Sequence, residues 1–371
     1  LKKSAAVYRI HTTMRIPINT FTTLCGLALL AATPAIAADL PRPDGKPADM
    51  TKPVKVFILM GQSNMLGFGT VEGDKPGTLA HAIKKENLYP FLVDDAGNWT
   101  ERQDVRNVRV QVGRGGGMGV HNNEWLTIKG KRIGPEVGIG HHLGNLLDEP
   151  VLILKSCIGN RSLGWDLLPP GSESYEFSDK DKKTGEMVDW VYAGYKQSPD
   201  RWLKGTEPKP IEWYAGKQYD DDTANAKAVL AELATYYPDA TQYEVAGFLW
   251  WQGDKDRYNA GHASRYEQNL VQLIKALRKD FNAPNAPFVL ATLGQTKKGD
   301  GGNDGMILDA MLAVDGENGK YPDHKGNVAT VYANPLSMGS SSNAHYGGDA
   351  RTYMNVGLGM GEAMVKLLKG K

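Results

Sequence analysis

Short apolar runs recur along the chain between polar, glycine-containing stretches. VKVFILM (from Val54), VLILKS (from Val151), VAGFLWW (from Val245), FVLATLG (from Phe288) and VATVYAN (from Val328) do not alternate with polar residues. That is the pattern of strands buried on both faces. VRNVRVQV, from Val105, does alternate and reads as a strand of lesser burial. Between the runs the spacing changes to that of helices. Tyr266, Leu270, Leu273, Ile274, Leu277 and Phe281 share one helical face, and Asn282-Ala283-Pro284 follows as a stop. GPEVGIGHHLGNLL (from Gly134), DDDTANAKAVLAELATYY (from Asp220) and DARTYMNVGLGMGEAMVKLLKG (from Asp349) predict three more helices. Strands alternating with helices imply an α/β fold, a parallel sheet covered on both sides, with its functional groups at the carboxyl ends of the strands.

Residues 164–219 break this rhythm. They hold Pro169-Pro170, a charged SDKDKKTGE run and Trp165, Trp190, Trp202 and Trp213, half of the eight tryptophans. The apolar residues here are too scattered for a separate core, so the segment reads as an insertion. Its rings either stack on sugars at the mouth of a site or anchor a long loop to the body.

The start of the chain reads as a targeting segment. Behind an over-extended start, Met14-Arg15 leads into the apolar LCGLALLAA and an Ala35-Ile36-Ala37 cleavage pattern. Residues 1–37 are therefore expected to be a secretory signal, residues 38–53 a Pro-rich linker and residues 54–371 the folded domain. Periplasmic or extracellular export is expected, with no stable membrane insertion after cleavage, because the apolar run is too short to span a bilayer. Beyond the signal, Cys157 is the only cysteine. No internal disulfide can form, and a thiol closing an apolar strand reads as a small buried hydrophobe.

Composition adds mainly exclusions. At 41% hydrophobic and 23% charged the chain can bury a substantial core, and its formal charge of +1 gives no reason to expect a nucleic-acid partner. No His-Glu-x-x-His, paired Cys-x-x-Cys or phosphate-loop pattern is present, so neither metal nor cofactor is expected. Asp220-Asp221-Asp222 is better explained as the acidic start of a helix.

The candidate chemistry begins where the first run ends, in Gly61-Gln62-Ser63-Asn64-Met65. A serine after a strand is commonly a helix cap. As a nucleophile, Ser63 would need a base, an acid to orient it and donors for an oxyanion. Among the histidines, His345 in GSSSNAHYGG stands in a late loop before the last helix, the placement expected of such a base. The run FLWWQGDKD ends a third strand on Gln252, an amide donor, with Asp254 and Asp256 behind it.

These segments, ILMGQSNM, SCIGNRSLGWDLLPPGS, FLWWQGDKD and NAHYGG, together resemble the SGNH hydrolase superfamily, and within it the carbohydrate-esterase, sialate O-acetylesterase-like group. The resemblance implies a three-layer αβα sandwich around a mostly parallel five-stranded sheet, flavodoxin-like in outline. It implies Ser63 as nucleophile, His345 as base, and an oxyanion hole from the Ser63 and Gly159 amides and the Gln252 side chain. Glu136, in a Gly-Pro-Glu of the group, is expected to start a helix. Two positions depart from the group: Ser342 replaces an aspartate three residues before the histidine, and Asp254 replaces a glutamate. The orienting acid is then Asp254, the favoured choice, or Asp256, or the His–Ser pair works with little support. The expected function is deacetylation of a carbohydrate; the alternative is a non-catalytic carbohydrate-binding relative.

Overall fold

The computed structural model describes residues 40–113, 115–181 and 184–370. The expected signal, residues 1–37, lies outside them. The main strands are β1 (Val54–Gly61), β2 (Glu101–Val112), β3 (Met118–Thr127), β4 (Val151–Ser156), β5 (Tyr243–Trp251), β6 (Phe288–Ala291) and β7 (Val328–Val331). They form one sheet in the order β7-β6-β5-β1-β4-β2-β3. All neighbours are parallel except the β2–β3 hairpin.

Helices α1 (Ser63–Leu66), α2 (Glu136–Leu146), α3 (Lys217–Ala231), α4 (Ala260–Asp280), α5 (Gly302–Ala313) and α6 (Ala350–Lys369) complete the frame. The two-residue period of β1 divides its side chains between two cores. Val56, Ile58 and Met60 pack with Val229, Leu270, Leu273 and Ile307 of α3, α4 and α5. Phe57 and Leu59 pack on the other face with Ile139, Leu143, Val356 and Met360 of α2 and α6. The result is the αβα sandwich that the alternating runs require, with both faces of the central strands dry.

Two features differ from the sequence expectation. The sheet has seven strands, not five, because the 101–127 hairpin extends it beyond β4. β2 is less buried than β1 or β4, as its alternation implies: Val105, Val108 and Val110 are fully buried while Gln103, Asp104 and Arg109 are partly exposed. α5 follows a glycine-rich stretch and was not expected as a helix. Within 164–219 a small antiparallel sheet forms from Tyr175–Lys180, Met187–Tyr192 and Arg201–Leu203. The tryptophans there carry cations: Arg201 lies over Trp190, and Arg161 and Lys217 lie over Trp213. Residues 40–53 run along the body, where the Asp49 amide donates to the Asp148 carbonyl (3.0 Å).

The open edge of β7 is closed by the chain itself. The Thr330 amide donates to Asp315 Oδ2 (2.8 Å), and the Val328 carbonyl accepts from the Gly316 amide (3.0 Å).

β1 ends on Gly61 at φ +146°, where an added Cβ would lie 2.4 Å from the Trp251 carbonyl oxygen. The two strand ends approach this closely only because there is no side chain between them. Gly61→Ala should therefore destabilise the domain by about 2 kcal/mol or more, read as a lowered urea midpoint.

Candidate active site

The carboxyl ends of β1, β4 and β5 converge through one buried network. Asp256, with no exposed surface, accepts from the Leu163 amide (2.9 Å), the Gly164 amide (2.7 Å) and Gln252 Nε2 (2.6 Å). Gln252 Nε2 also donates to the Arg161 carbonyl (2.8 Å) and faces Gln62 Oε1 (3.2 Å), while Gln252 Oε1 accepts from the Tyr266 hydroxyl (2.8 Å). Burial pushes the Asp256 carboxyl above its ordinary range, against the lowering effect of His262 and of the donors around it.

Gln252 was expected as an oxyanion donor, and its surroundings bear on that expectation. Its amide is wholly buried and its two protons are committed to Asp256, Arg161 and Gln62, so it braces three strand ends and is not an open donor. Asp256, the alternative acid, is likewise engaged in framing the loop after β4.

Ser63 stands at the first position of α1, directly after β1, and is 8% exposed. Gly159 borders it: a Cβ on Gly159 would lie 3.6 Å from the Ser63 Cβ. Among the described residues neither the Ser63 nor the Gly159 amide has a hydrogen-bond acceptor. The short helix is held from behind by a buried ion pair. Lys155 Nζ donates to Glu136 and to the Leu66 carbonyl (3.1 Å), and Glu136 Oε1 accepts from the Gly134 amide (3.0 Å). Glu136 thus begins α2 and also steadies the turn that carries Ser63.

The histidine arrives from the far end of the chain. The Ser342–Gly348 segment packs against α1. His345, Tyr346, Gly347 and Gly348 all have left-handed backbone angles, with φ of 51°, 54°, 66° and 76°. Two non-glycine residues in that region hold strain, which persists only where surroundings enforce it. Here Tyr346 enforces it: its fully buried ring stacks on Trp251 and its hydroxyl accepts from the Gly294 amide (3.1 Å). The structure thus brings His345 to the Ser63 turn. His262 instead bonds Asp200 (2.8 Å), His324 Nδ1 meets the Val314 carbonyl, and His141 is buried.

Asp254 lies on the His345 side of the network. Its Oδ1 accepts from the Ser342 hydroxyl (2.5 Å) and from Arg257 Nη1 (3.2 Å). Ser342, at the position where the group carries an aspartate, therefore couples the histidine segment to an acid supplied by the end of β5. Burial lowers the affinity of His345 for a proton; Asp254 opposes this and Arg132 adds to it, and the net direction is downward. Cys157 takes no part: it is fully buried, its thiol pushed up to about 12 by desolvation. Sequence reasoning missed the place of Phe68, whose ring contact with His345 is long-range.

The doubly wound α/β domain thus holds an alcohol and two unpaired amides at the ends of β1 and β4, with an imidazole brought beside them by the Ser342–Gly348 segment. Residues 200–366 match the family described as carbohydrate esterase, sialic acid-specific acetylesterase. The matched region includes Gln252, Asp254 and His345; Ser63 precedes it. A probable carbohydrate esterase of Arabidopsis thaliana is 29% identical over 115 residues, covering 31% of this chain and 39% of the relative. Thus the chain aligns with about two-fifths of that relative's length. Among solved structures, an Arabidopsis thaliana protein has a TM-score of 0.45 at 17% identity, covering 84% of this chain and 98% of that one. A carbohydrate acetylesterase from Xanthomonas citri has a TM-score of 0.47 at 16% identity, covering 85% and 57%.

The two acids should separate cleanly on mutation. Asp256→Ala strands two buried amides and the Gln252 side chain, and is expected to cost about 3 kcal/mol or more in urea unfolding. Asp254→Ala, at the rim of the network, should cost clearly less; equal losses would contradict this division.

Proposed function

We propose that the protein is an exported serine esterase that removes O-acetyl groups from carbohydrates. The observation that carries this reading is the meeting, at the ends of β1 and β4, of Ser63, the open Gly159 amide and the His345 segment. His345 takes the Ser63 proton as Oγ attacks the acetyl carbonyl. The Ser63 and Gly159 amides receive the negative charge on the carbonyl oxygen. The sugar oxygen then leaves with the proton from His345, and water, deprotonated by the same imidazole, releases acetate and restores Ser63. Asp254 stabilises the imidazolium that forms in each half of the cycle.

The acetyl donor is a glycan or a free sugar, with acetylxylan-type and sialate-type esters as the two leading classes. The family supports a carbohydrate acetyl ester in general; the choice of sugar belongs to the 164–219 insertion and the 297–305 segment around the site. Export rests on the signal-like residues 1–37 and places the enzyme in the periplasm or outside the cell. Among the described residues no helix is long and apolar enough to cross a membrane.

Acetate release from a chromogenic acetyl ester tests the reading directly. Ser63→Ala and His345→Ala should each abolish it while leaving the fold intact; retained hydrolysis in Ser63→Ala would overturn it. A correctly folded native protein silent on all acetyl esters would favour the non-catalytic carbohydrate-binding alternative.

The pH profile provides a second check. A base works unprotonated, so kcat/KM should fall on acidification only below the ordinary histidine value of about 6.5, because His345 is depressed by burial. Asp254 raises the proton affinity of His345. Asp254→Asn should therefore move the acid limb to still lower pH while reducing kcat.

A further inference from the structure

His345 lacks what usually orients a catalytic imidazole. Among the described residues neither ring nitrogen has a hydrogen-bond partner, and the Asp254 oxygen nearest the segment is engaged by Ser342 and Arg257. The ring is held by a flat contact instead. Phe68 stacks on it with centroids 3.9 Å apart and planes inclined by only 6°. The Arg132 guanidinium lies over the same Phe68 ring at 4.6 Å.

Phe68 belongs to the turn that carries the nucleophile. α1 begins at Ser63 and ends at Gly67, whose φ of +96° sends the chain directly into Phe68. An added Cβ on Gly67 would lie 2.3 Å from the Gly134 Cα, so the turn is pressed against the start of α2. Lys155 holds the Leu66 carbonyl from the sheet side. Nucleophile and aromatic plate are thus parts of one braced turn, and a ring lying flat on that plate can slide but cannot tilt.

We propose that Phe68 is the positioning residue for the base: its ring sets the plane of the His345 imidazole relative to Ser63, in place of a carboxylate at position 342. This rests on the assignment of Ser63 and His345 above and adds how the pair is aligned. The charged groups facing His345 are Asp254 from the end of β5 and Arg132 from the Arg132–Ile133 strand, and α1 packs against its segment; Tyr353 of α6 donates only to the His345 carbonyl (3.4 Å). None of these fixes the ring plane by contact, which leaves Phe68 to do so.

The test compares Phe68→Leu, which keeps apolar bulk without a ring, with Phe68→Tyr, which keeps the ring. Misplacing a catalytic group by about 1 Å can cost on the order of 100-fold. Phe68→Leu should accordingly lower kcat by roughly tenfold or more at little changed KM, with its acid limb rising toward about 6.5 as the imidazole swings into water. Phe68→Tyr should retain native kcat and pH profile. An independent readout needs no activity: in the native protein the carbon-bound imidazole protons of His345 should show an upfield ring-current shift by NMR, lost in Phe68→Leu and kept in Phe68→Tyr. Native kcat and acid limb in Phe68→Leu, with Ser63→Ala inactive, would overturn the positioning role alone. If no acetyl ester is hydrolysed, the functional reading fails; His345 signals unmoved by Phe68→Leu would then reject the stack as well.

Discussion

One buried carboxylate fixes where the central strands stop. Asp256 accepts two amides from the loop after β4 and the side-chain amide at the end of β5, and that amide in turn reaches Gln62 at the end of β1. Taking a carboxylate out of water is costly, and three donors at 2.6 to 2.9 Å are the compensation that makes it tolerable. Strand ends in a parallel sheet are otherwise joined only through the ladder behind them. The network gives them a second tie, at the edge where Ser63 and Asp254 lie.

On that frame the candidate site divides its labour between two rigid pieces. One is the turn from Ser63 to Phe68, braced by the Lys155–Glu136 pair. The other is the left-handed run from His345 to Gly348, pinned by Tyr346 against Trp251. Strain in the second piece is sustained by the burial of Tyr346, so the histidine does not depend on a flexible Ser/Gly loop for its place. Asp254, one turn of chain beyond the β5 strand, ties the histidine segment to that strand end through a bond of 2.5 Å from the Ser342 hydroxyl.

Much of this was legible in the sequence, for identifiable reasons. β1, β4, β5 and β6 announce themselves because burial on both faces demands unbroken apolar runs, and α4 and α6 because each has one dry side; β7 reads the same way in sequence but is an edge strand in which only Val328 is fully buried. β3 was hidden by its position: a half-exposed edge strand such as MGVHNNEWLT carries too many polar residues to show a pattern. α5 was hidden by Gly301, Gly302 and Gly305, which lower helix propensity at its start while tertiary packing of Ile307, Leu308 and Met311 overrides them. The sequence placed Ser63, His345 and Asp254 on the same sheet edge, since strand-end chemistry is local. It could not tell an exposed Gln252 from a buried one, because the residues that bury it, Arg161, Asp256 and Tyr266, come from three different elements. Phe68 was silent for the same reason: its partner lies at the other end of the chain.

The closure of β7 by Asp315 and Gly316 has a consequence for the protein's life among other copies of itself. The outermost strand of a parallel sheet is an invitation to another chain, because its outward backbone groups can template a neighbour. Here a carboxylate already occupies the Thr330 amide and a backbone amide the Val328 carbonyl. A newcomer at that edge would find a negative charge where it needs a hydrogen-bond partner. At that edge, growth by addition of a further strand is thereby opposed by the chain's own loop.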